Sequence, residues 1–284
     1  MGTLYLVATP IGNLQDITHR ALSVLSRANL IAAEDTRQTH KLLSHYAIQT
    51  PLVSYHEHNK LARLDRILEA LERGDVALVS DAGTPALNDP GYELVRAVLQ
   101  AGHAVSPIPG PSAPLAALVA SGLPTDAFLY LGYLPRKAGE RRRLLDEITA
   151  LPYTLVLLET PHRLAAALED MQSVLGDRPM AVARELTKLH EEIYRGSIGQ
   201  ALAHFTEQPP RGEITLVVAG DRAAKQWDEA QVRFALRQQL ATGTAAAQAA
   251  GDLAARSGWP RRKIYHLIME IQAAEGDLAD GGMT

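Results

Sequence analysis

The chain has 284 residues, 46% of them hydrophobic, with 28 Lys and Arg against 32 Asp and Glu for a formal net charge of -4. That length predicts about two domains, each able to bury a core. The sequence contains no Cys, which excludes disulfides, thiolate nucleophiles and Cys-ligated metals. No apolar run reaches the roughly 18 residues of a membrane span, and the mild acidity argues against an evenly basic nucleic-acid binder while leaving room for local patches. Met1-Gly2-Thr3-Leu4 enters a strand-like pattern at once, so a soluble, cytoplasmic chain without a leader is expected.

Leu4 to Ala8 is apolar enough for a strand and ends on Thr9-Pro10-Ile11-Gly12-Asn13-Leu14. Thr18 is placed to cap a helix carrying Leu22 and Leu25. A second strand, Leu30 to Ala33, ends on the charged cluster Glu34-Asp35-Thr36-Arg37, and a weaker one, Pro51 to Tyr55, is followed by His56 and His58. Two histidines two apart leave a metal site or a solvated or substrate-facing loop as readings. Leu61, Leu64, Leu68 and Leu71 share one helical face over 60 to 73.

The strand Val76 to Val79 then opens into Ser80-Asp81-Ala82-Gly83-Thr84-Pro85-Ala86-Leu87-Asn88-Asp89-Pro90-Gly91, around which the chain is organised. A turn-rich loop at the carboxyl end of a strand is where open α/β sheets hold ligands. Gly83 lets a ligand lie against backbone, and Pro85 and Pro90 stiffen the flanks. A helix with Leu94 and Val98 follows, then a strand around Val105 and the loop Pro107 to Ala113, where Ser112 can cap the next helix.

Regular alternation makes residues 1 to 120 a mainly parallel α/β domain, with Ser121-Gly122-Leu123-Pro124 as a hinge. A second, mixed α/β domain spans 121 to 226, with strands at Phe128 to Leu134 and Tyr153 to Leu158, a stretch Pro179 to Ala183 leading into Arg184 to Lys188, and antiparallel strands at Ile193 to Gly196 and Gly212 to Ala219 around a helix from Ser197 to Phe205. It contains a basic segment in which Arg136, Lys137, Arg141, Arg142 and Arg143 face only Glu140. That segment is a solvated helix face or a contact to phosphates. From Trp227 to Thr284 the chain becomes Ala-rich and helical, with Arg256, Arg261, Arg262 and Lys263 around a Gly-containing turn. A helix-turn-helix-like module or a small packing bundle fits this, followed by a frayed tail from Asp277.

Taken together, VATPIGNL at 7 to 14, Glu34-Asp35-Thr36-Arg37, Ser80 to Pro85, Pro109-Gly110-Pro111-Ser112-Ala113 and Glu159-Thr160-Pro161-His162-Arg163 resemble the tetrapyrrole-methylase superfamily, and more closely its ribosomal RNA branch. The resemblance covers residues 4 to about 220. It implies two α/β domains with a cofactor cleft between them, S-adenosylmethionine as cofactor, and a homodimer. The activity it implies is methylation of a cytidine ribose 2′-hydroxyl in 16S rRNA, within the small ribosomal subunit. By motif it carries cofactor contacts onto Pro10, Ala82, Gly83, Thr84, Leu87, Ser112 and Ala113, with Glu159 and Leu186 as further positions. The first loop reads TPIGNL where the porphyrin and corrin branches carry a Gly-rich run, which speaks against a tetrapyrrole substrate.

The chemistry asks for an in-line methyl and a positioned base or cation near a weak nucleophile. Asp35, Arg37, Glu159, Arg184, Glu185 and Lys188 stand at strand-end motifs and are the catalytic candidates, unranked. Each has an interdomain ion pair or a phosphate contact as its other reading. Two other functions remain open: a methyltransferase of the same fold for a tetrapyrrole or another small molecule, and a non-enzymatic nucleic-acid binder built on the C-terminal helices.

Overall fold

A computed structural model describes residues 2–221 and 227–280; the side chains of 255, 256 and 272–280, Arg256 of the basic group among them, lie outside the described residues. The first half is a five-stranded sheet of β1 (Thr3–Val7), β2 (Leu30–Ala33), β3 (Leu52–Ser54), β4 (Val76–Val79) and β5 (Ala104–Ile108), in the order β3-β2-β4-β1-β5. Every pairing in it is parallel. Strands β2 and β4 are buried along their whole length, as the unbroken runs LIAA and VALV require of strands covered on both faces.

Alternate residues of each strand feed two separate cores. Ile31, Ala33, Ala77 and Val79 pack under α1 (His19–Arg27) and α2 (Thr36–His45), which contribute Val24, Leu25, Leu42 and Leu43. Leu30, Ala32, Val76 and Leu78 pack under α3 (Lys60–Arg73) and α4 (Tyr92–Gln100), through Ile67, Leu71, Leu94 and Val98. Burying one such Leu or Val is worth about 1.5–3 kcal/mol, so this period-two division holds each helix layer to its own face. The α3 stripe is Leu64, Ile67, Leu68 and Leu71, and Leu61 is exposed, one turn short of the sheet.

The layering creates a crevice. Strands β1 and β4 are neighbours, yet β1 leads to α1 on one face and β4 to α4 on the other, so their outgoing loops diverge. This is the switch point at which open α/β sheets bind ligands. The two loops are tied across it by a pair of bonds between Thr9 and Gly83, at 2.9 and 3.0 Å.

The second sheet runs β6-β7-β10-β8-β9, from β6 (Phe128–Tyr133), β7 (Thr154–Glu159), β8 (Pro179–Arg184), β9 (Glu192–Ser197) and β10 (Ile214–Val218). Only β6 and β7 pair in parallel; β10 lies antiparallel between β7 and β8, and β9 is antiparallel to β8. One face is covered by α6 (Ala138–Glu147), α7 (Pro161–Leu175) and α8 (Ile198–Glu207) through Leu145, Leu168, Met171, Ile198 and Phe205. The other receives α5 (Ala113–Ala120), whose Ala117 and Leu118 pack with Val156, Ala181, Ala183 and Val217. A helix that follows the first sheet therefore seals the second, and the two halves share a core at the crevice, to which the loop after β1 adds Ile11.

The C-terminal helices α9 (Glu229–Ala241), α10 (Ala246–Ser257) and α11 (Arg261–Asp280) close on a core of their own, with Val232, Leu236, Leu253, Ile264 and Ile268 buried. Gly258 is left-handed at φ +71°, ending α10, and Trp259 packs into this core with its indole N–H donating to the Trp227 carbonyl. Helix α11 continues through Asp280, so the stretch from Asp277 that reads as a tail is helical in its first residues. Among the described residues no helix is long and apolar enough to cross a membrane.

Candidate functional site

A cavity of about 300 Å³ occupies the crevice. Its floor is the organising loop, Asp81 to Thr84 with Leu87, Asn88 and Asp89. Ile11 and Glu34 come from neighbouring strand ends, Ser112 to Pro114 from the start of α5, and Tyr130, Tyr133, Leu158 and Glu213 to Thr215 from the second sheet. Both halves of the molecule thus build it. The loop is fixed from within: Thr9 Oγ1 donates to the Ser80 carbonyl at 3.2 Å, Thr84 Oγ1 to the Pro111 carbonyl at 3.3 Å, and the Asp35 amide to Asp81 Oδ1 at 2.9 Å. Across the cleft Tyr130 donates to Asn88 Oδ1 at 2.6 Å.

Backbone strain is concentrated here. Gly83 has φ +78°, and Ala86 and Asn88 both have φ +66° without being glycine. At the two non-glycine residues this costs of order 1–3 kcal/mol each and persists where the surroundings over-determine them. Gly83 is required for its conformation more than for space, since a Cβ there would meet Ile11 Cγ2 at 3.5 Å and the Pro111 carbonyl at 3.8 Å, ordinary contacts. At Gly12 space is what matters: a Cβ would collide with Lys188 Cγ, so the first loop lies directly against the Leu186–Lys188 segment.

The cavity is acidic. Glu34, Asp81, Asp89 and Glu213 line it, and no Lys or Arg does. Burial, reinforced by Asp89 and Asp81, raises Glu34 above the usual carboxylate range, and burial with Asp81 nearby does the same to Asp89. Burial, Tyr133 and Asp89 push Tyr130 up to about 12, and burial together with Glu213 raises Tyr133, so both phenols stay protonated near neutral pH. An enclosed site whose carboxylates repel one another favours a cation, which relieves the repulsion.

Of the residues singled out as cofactor contacts, Ala82, Gly83, Thr84, Leu87, Ser112 and Ala113 are brought together on the cavity wall. Ser112 occupies the N-cap position of α5 but makes no side-chain cap bond. Pro10 lines a neighbouring hollow with Leu14, Thr39 and Ser80. Glu159 is buried, receiving the Thr160 amide at 2.8 Å and pairing with Arg163 at 3.2 Å, and Leu186 sits in the shared core behind the wall.

None of the six catalytic candidates lines the cavity. Asp35 is the N-cap of α2 and is paired with the exposed Arg37 at 2.6 Å; that guanidinium holds Asp35 down at about 2. Arg184 pairs with Glu192. Lys188 pairs with Glu185 at 2.9 Å and with the cavity carboxylate Glu213 at 3.2 Å. Although burial opposes it, these carboxylates raise the Lys188 pKa, and the Lys188 bond in turn lowers Glu185. Asp35 and Glu185 are thereby weak bases and Lys188 a fixed cation.

Of the side chains that do stand in the cavity, Glu34 belongs to the charged cluster at 34 to 37 and Asp89 to the organising loop, but neither is among the catalytic candidates. Tyr130 and Tyr133 lie in a plain strand pattern, and Glu213 precedes another.

Two α/β units closing over a ligand-sized acidic cleft at a switch point define a cofactor- or substrate-binding enzyme architecture. The model of the tetrapyrrole (corrin/porphyrin) methylases matches residues 3–202, and the chain belongs to that family. Membership in a methylase family implies a methyl donor. The chain is 49% identical over 279 residues to "Ribosomal RNA small subunit methyltransferase I" of Synechocystis sp., covering 96% of this chain and 99% of that relative. A Bacillus subtilis protein of the same name is 43% identical, with 93% of each chain covered. One from Thermotoga maritima is 47% identical over 221 residues, which are 78% of this chain and 99% of that relative. Among solved structures, a diphthine synthase superposes with a TM-score of 0.62 at 14% identity, covering 79% of this chain and 91% of its own. A cobalt precorrin-4 methyltransferase gives 0.58 at 16%, covering 76% and 94%. Both share the fold.

Proposed function

We propose that the protein is an S-adenosylmethionine-dependent methyltransferase that modifies a ribose 2′-hydroxyl of a cytidine in 16S rRNA, within the small ribosomal subunit, as a homodimer. The observation that carries the reading is near full-length similarity to proteins named ribosomal RNA small subunit methyltransferase I, in a chain whose cleft is acidic and free of Lys and Arg.

The residues fit the donor. S-adenosylmethionine carries a sulfonium and an ammonium against one carboxylate, and a cleft lined by Glu34, Asp81, Asp89 and Glu213 favours that net cation over its neutralised product. The backbone of Ala82 to Thr84 and the start of α5 would hold the polar parts, with Leu87 and Ile11 against the apolar ones. When bound, the donor supplies an activated methyl group. The chain's own part is to hold the ribose hydroxyl in line and manage its proton. Glu34 and Asp89, on the cavity wall and raised by burial, are better placed to accept it than Asp35 or Glu185. A tetrapyrrole substrate bearing carboxylates would be repelled by the same walls.

The homodimer reading is supported by α5, which exposes Leu115 and Val119 on the side away from its buried Ala117 and Leu118. The deciding experiment maps ribose methylation across small-subunit rRNA in cells with and without the gene. Loss of one cytidine 2′-O-methyl group is expected, and an unchanged map would overturn the reading.

A further inference from the structure

Next to the acidic cleft the same two strands build a basic hollow. Past the cavity residues Tyr133 and Leu158, β6 and β7 run on into Arg136 and Thr160 and start α6 and α7. Between those helix starts is a hollow of about 500 Å³ lined by Arg136, Arg141, Thr160, His162 and Arg163. Tyr133 and Arg136 are three residue steps apart, at most about 11 Å of extended chain. The hollow and the cleft are therefore neighbours.

The walls of the hollow are rigid. Arg141 is 5% exposed, pairs with the equally buried Asp170 at 2.5 Å, and donates to the carbonyls of Pro135 and Arg136 at 3.3 Å. Arg163 donates to the Leu134 and Pro135 carbonyls at 2.6 and 3.2 Å and pairs with Glu159. These guanidiniums are occupied in fixing the loop. Arg136 is not: it is exposed, and its guanidinium has no ion pair or hydrogen bond among the described residues. His162 is also exposed, and its one side-chain hydrogen bond among the described residues is with Thr160 Oγ1, at 3.4 Å.

Neighbouring carboxylates are already taken. Asp170 is shared by Arg141 and Arg142, Glu159 is held by Arg163, and Glu140 by Lys137. Lys137 makes no side-chain cap on α6, whose first turn keeps N–H groups to offer, whereas α7 starts on Pro161, which has no N–H, and its Arg163 backbone N–H donates to the Thr160 carbonyl at 3.0 Å. A free guanidinium, an imidazole and the start of α6 around one hollow make an anion site, and its exposed rim lets a chain pass through it.

We propose that this hollow binds a backbone phosphate of the RNA strand whose ribose enters the cleft, an assignment that rests on the RNA reading above. The phosphate lies against Arg136 and His162, on a floor fixed by Arg141 and Arg163. Both contacts are sequence-independent, so they set the position of the strand and leave base recognition to other surfaces.

The test uses the full chain, purified 16S rRNA as probe, and a series of KCl concentrations. Arg136→Gln with His162→Gln should weaken RNA binding about 3- to 10-fold near physiological salt and make the log–log salt dependence shallower by about 0.7–0.9 for each lost phosphate contact. Arg136→Lys should keep most of the slope, and S-adenosylmethionine affinity by calorimetry should not change in any of them. A double variant with the parent's affinity and slope overturns the phosphate site while the RNA reading stands. A parent that does not bind 16S rRNA overturns both. If inorganic phosphate binds at Arg136 but the RNA slope is insensitive to its loss, the hollow is a small-anion site, and the proposal falls.

Discussion

The acidic cleft and the basic hollow share β6 and β7 but have opposite charge, and the difference lies in which charges are already spent. In the hollow, every nearby carboxylate is paired and Arg136 is left over. In the cleft, Lys188 is drawn back by Glu185 and Glu213, while Glu34 and Asp89 have no cation beside them on the wall. A cationic donor and a polyanionic acceptor would each be repelled from the other's place. Pairing pattern, not composition, produces this separation in a chain whose overall charge is only -4.

The largest expected effect falls on the frame of the hollow. Burial alone would raise Asp170, but bonds from Arg142 and Arg141 outweigh it and hold its carboxyl below the usual range. Asp170→Ala would leave the buried Arg141 guanidinium without its carboxylate, and breaking a buried pair in this way costs about 3–5 kcal/mol. Urea denaturation should show this as a lower midpoint. A change below about 1 kcal/mol would mean that water or the Pro135 carbonyl compensates, and that the hollow is softer than its bonds suggest.

On the cleft side, Gly83→Val should lower S-adenosylmethionine affinity about 100-fold, because a β-branched residue is strongly disfavoured at φ +78° and its methyls would project from the cavity wall. Gly83→Asn, which tolerates that conformation, separates the two causes: recovered affinity would assign the loss to backbone strain. Calorimetry reads both. Parent-like affinity in a folded Gly83→Val would take the organising loop out of the site.

Lowering the pH sharpens the contrast by discharging one side only. Glu34 and Asp89 are raised in the free protein, so as pH falls each protonates before an ordinary carboxylate of its type would, and their attraction for a cation disappears there. A bound cation favours the ionised forms, so binding in that range releases protons. Calorimetry in two buffers should show affinity for S-adenosylmethionine falling several-fold, about 1 kcal/mol, while S-adenosylhomocysteine, without the sulfonium charge, changes less. Equal pH profiles for the two would remove the carboxylates from donor recognition.

Much of this architecture was legible because strand-end loops break periodicity visibly. The apolar runs LIAA and VALV, the Thr18 cap and the turn-rich loop from Ser80 all announce themselves locally, and each forms the element expected of it. What stayed hidden depends on pairing across long sequence distances. The basic segment at 136 to 143 reads as facing only Glu140, whereas Asp170, one helix later, engages both Arg141 and Arg142. Tyr130 and Glu213 meet the organising loop only through the second sheet. Asp35 and Glu185 look as reactive in sequence as Glu34 and Asp89, and what distinguishes them is the cation beside each of the first two and the burial of the other two.

The smallest expected effect concerns the C-terminal helices, a third region whose charge is partly spent internally. Their core contains no residue of either sheet, so removing residues 227 to 284 should leave S-adenosylmethionine affinity within about twofold, as for independent sites. The Thermotoga maritima relative is matched over almost its whole length by 221 residues, close to the length that precedes these helices. RNA binding is another matter. Lys263 lies 3.8 Å over the Trp259 ring and Arg261 donates to the Ala247 carbonyl at 3.0 Å, so within the cluster 261 to 263 it is Arg262 that is exposed with no ion pair or hydrogen bond among the described residues. If the module touches RNA, truncation should make the salt slope shallower by about 0.7–0.9 per phosphate, and Arg262→Gln alone should reproduce about one such step. Arg261→Ala and Lys263→Ala should instead act mainly on the module's stability, by removing a carbonyl bond and a cation–π contact worth about 0.5–1 kcal/mol at an exposed site. An Arg262→Gln variant with the parent's slope, beside a truncation that also keeps it, would make these helices a packing bundle and leave the rRNA contact to the hollow at Arg136.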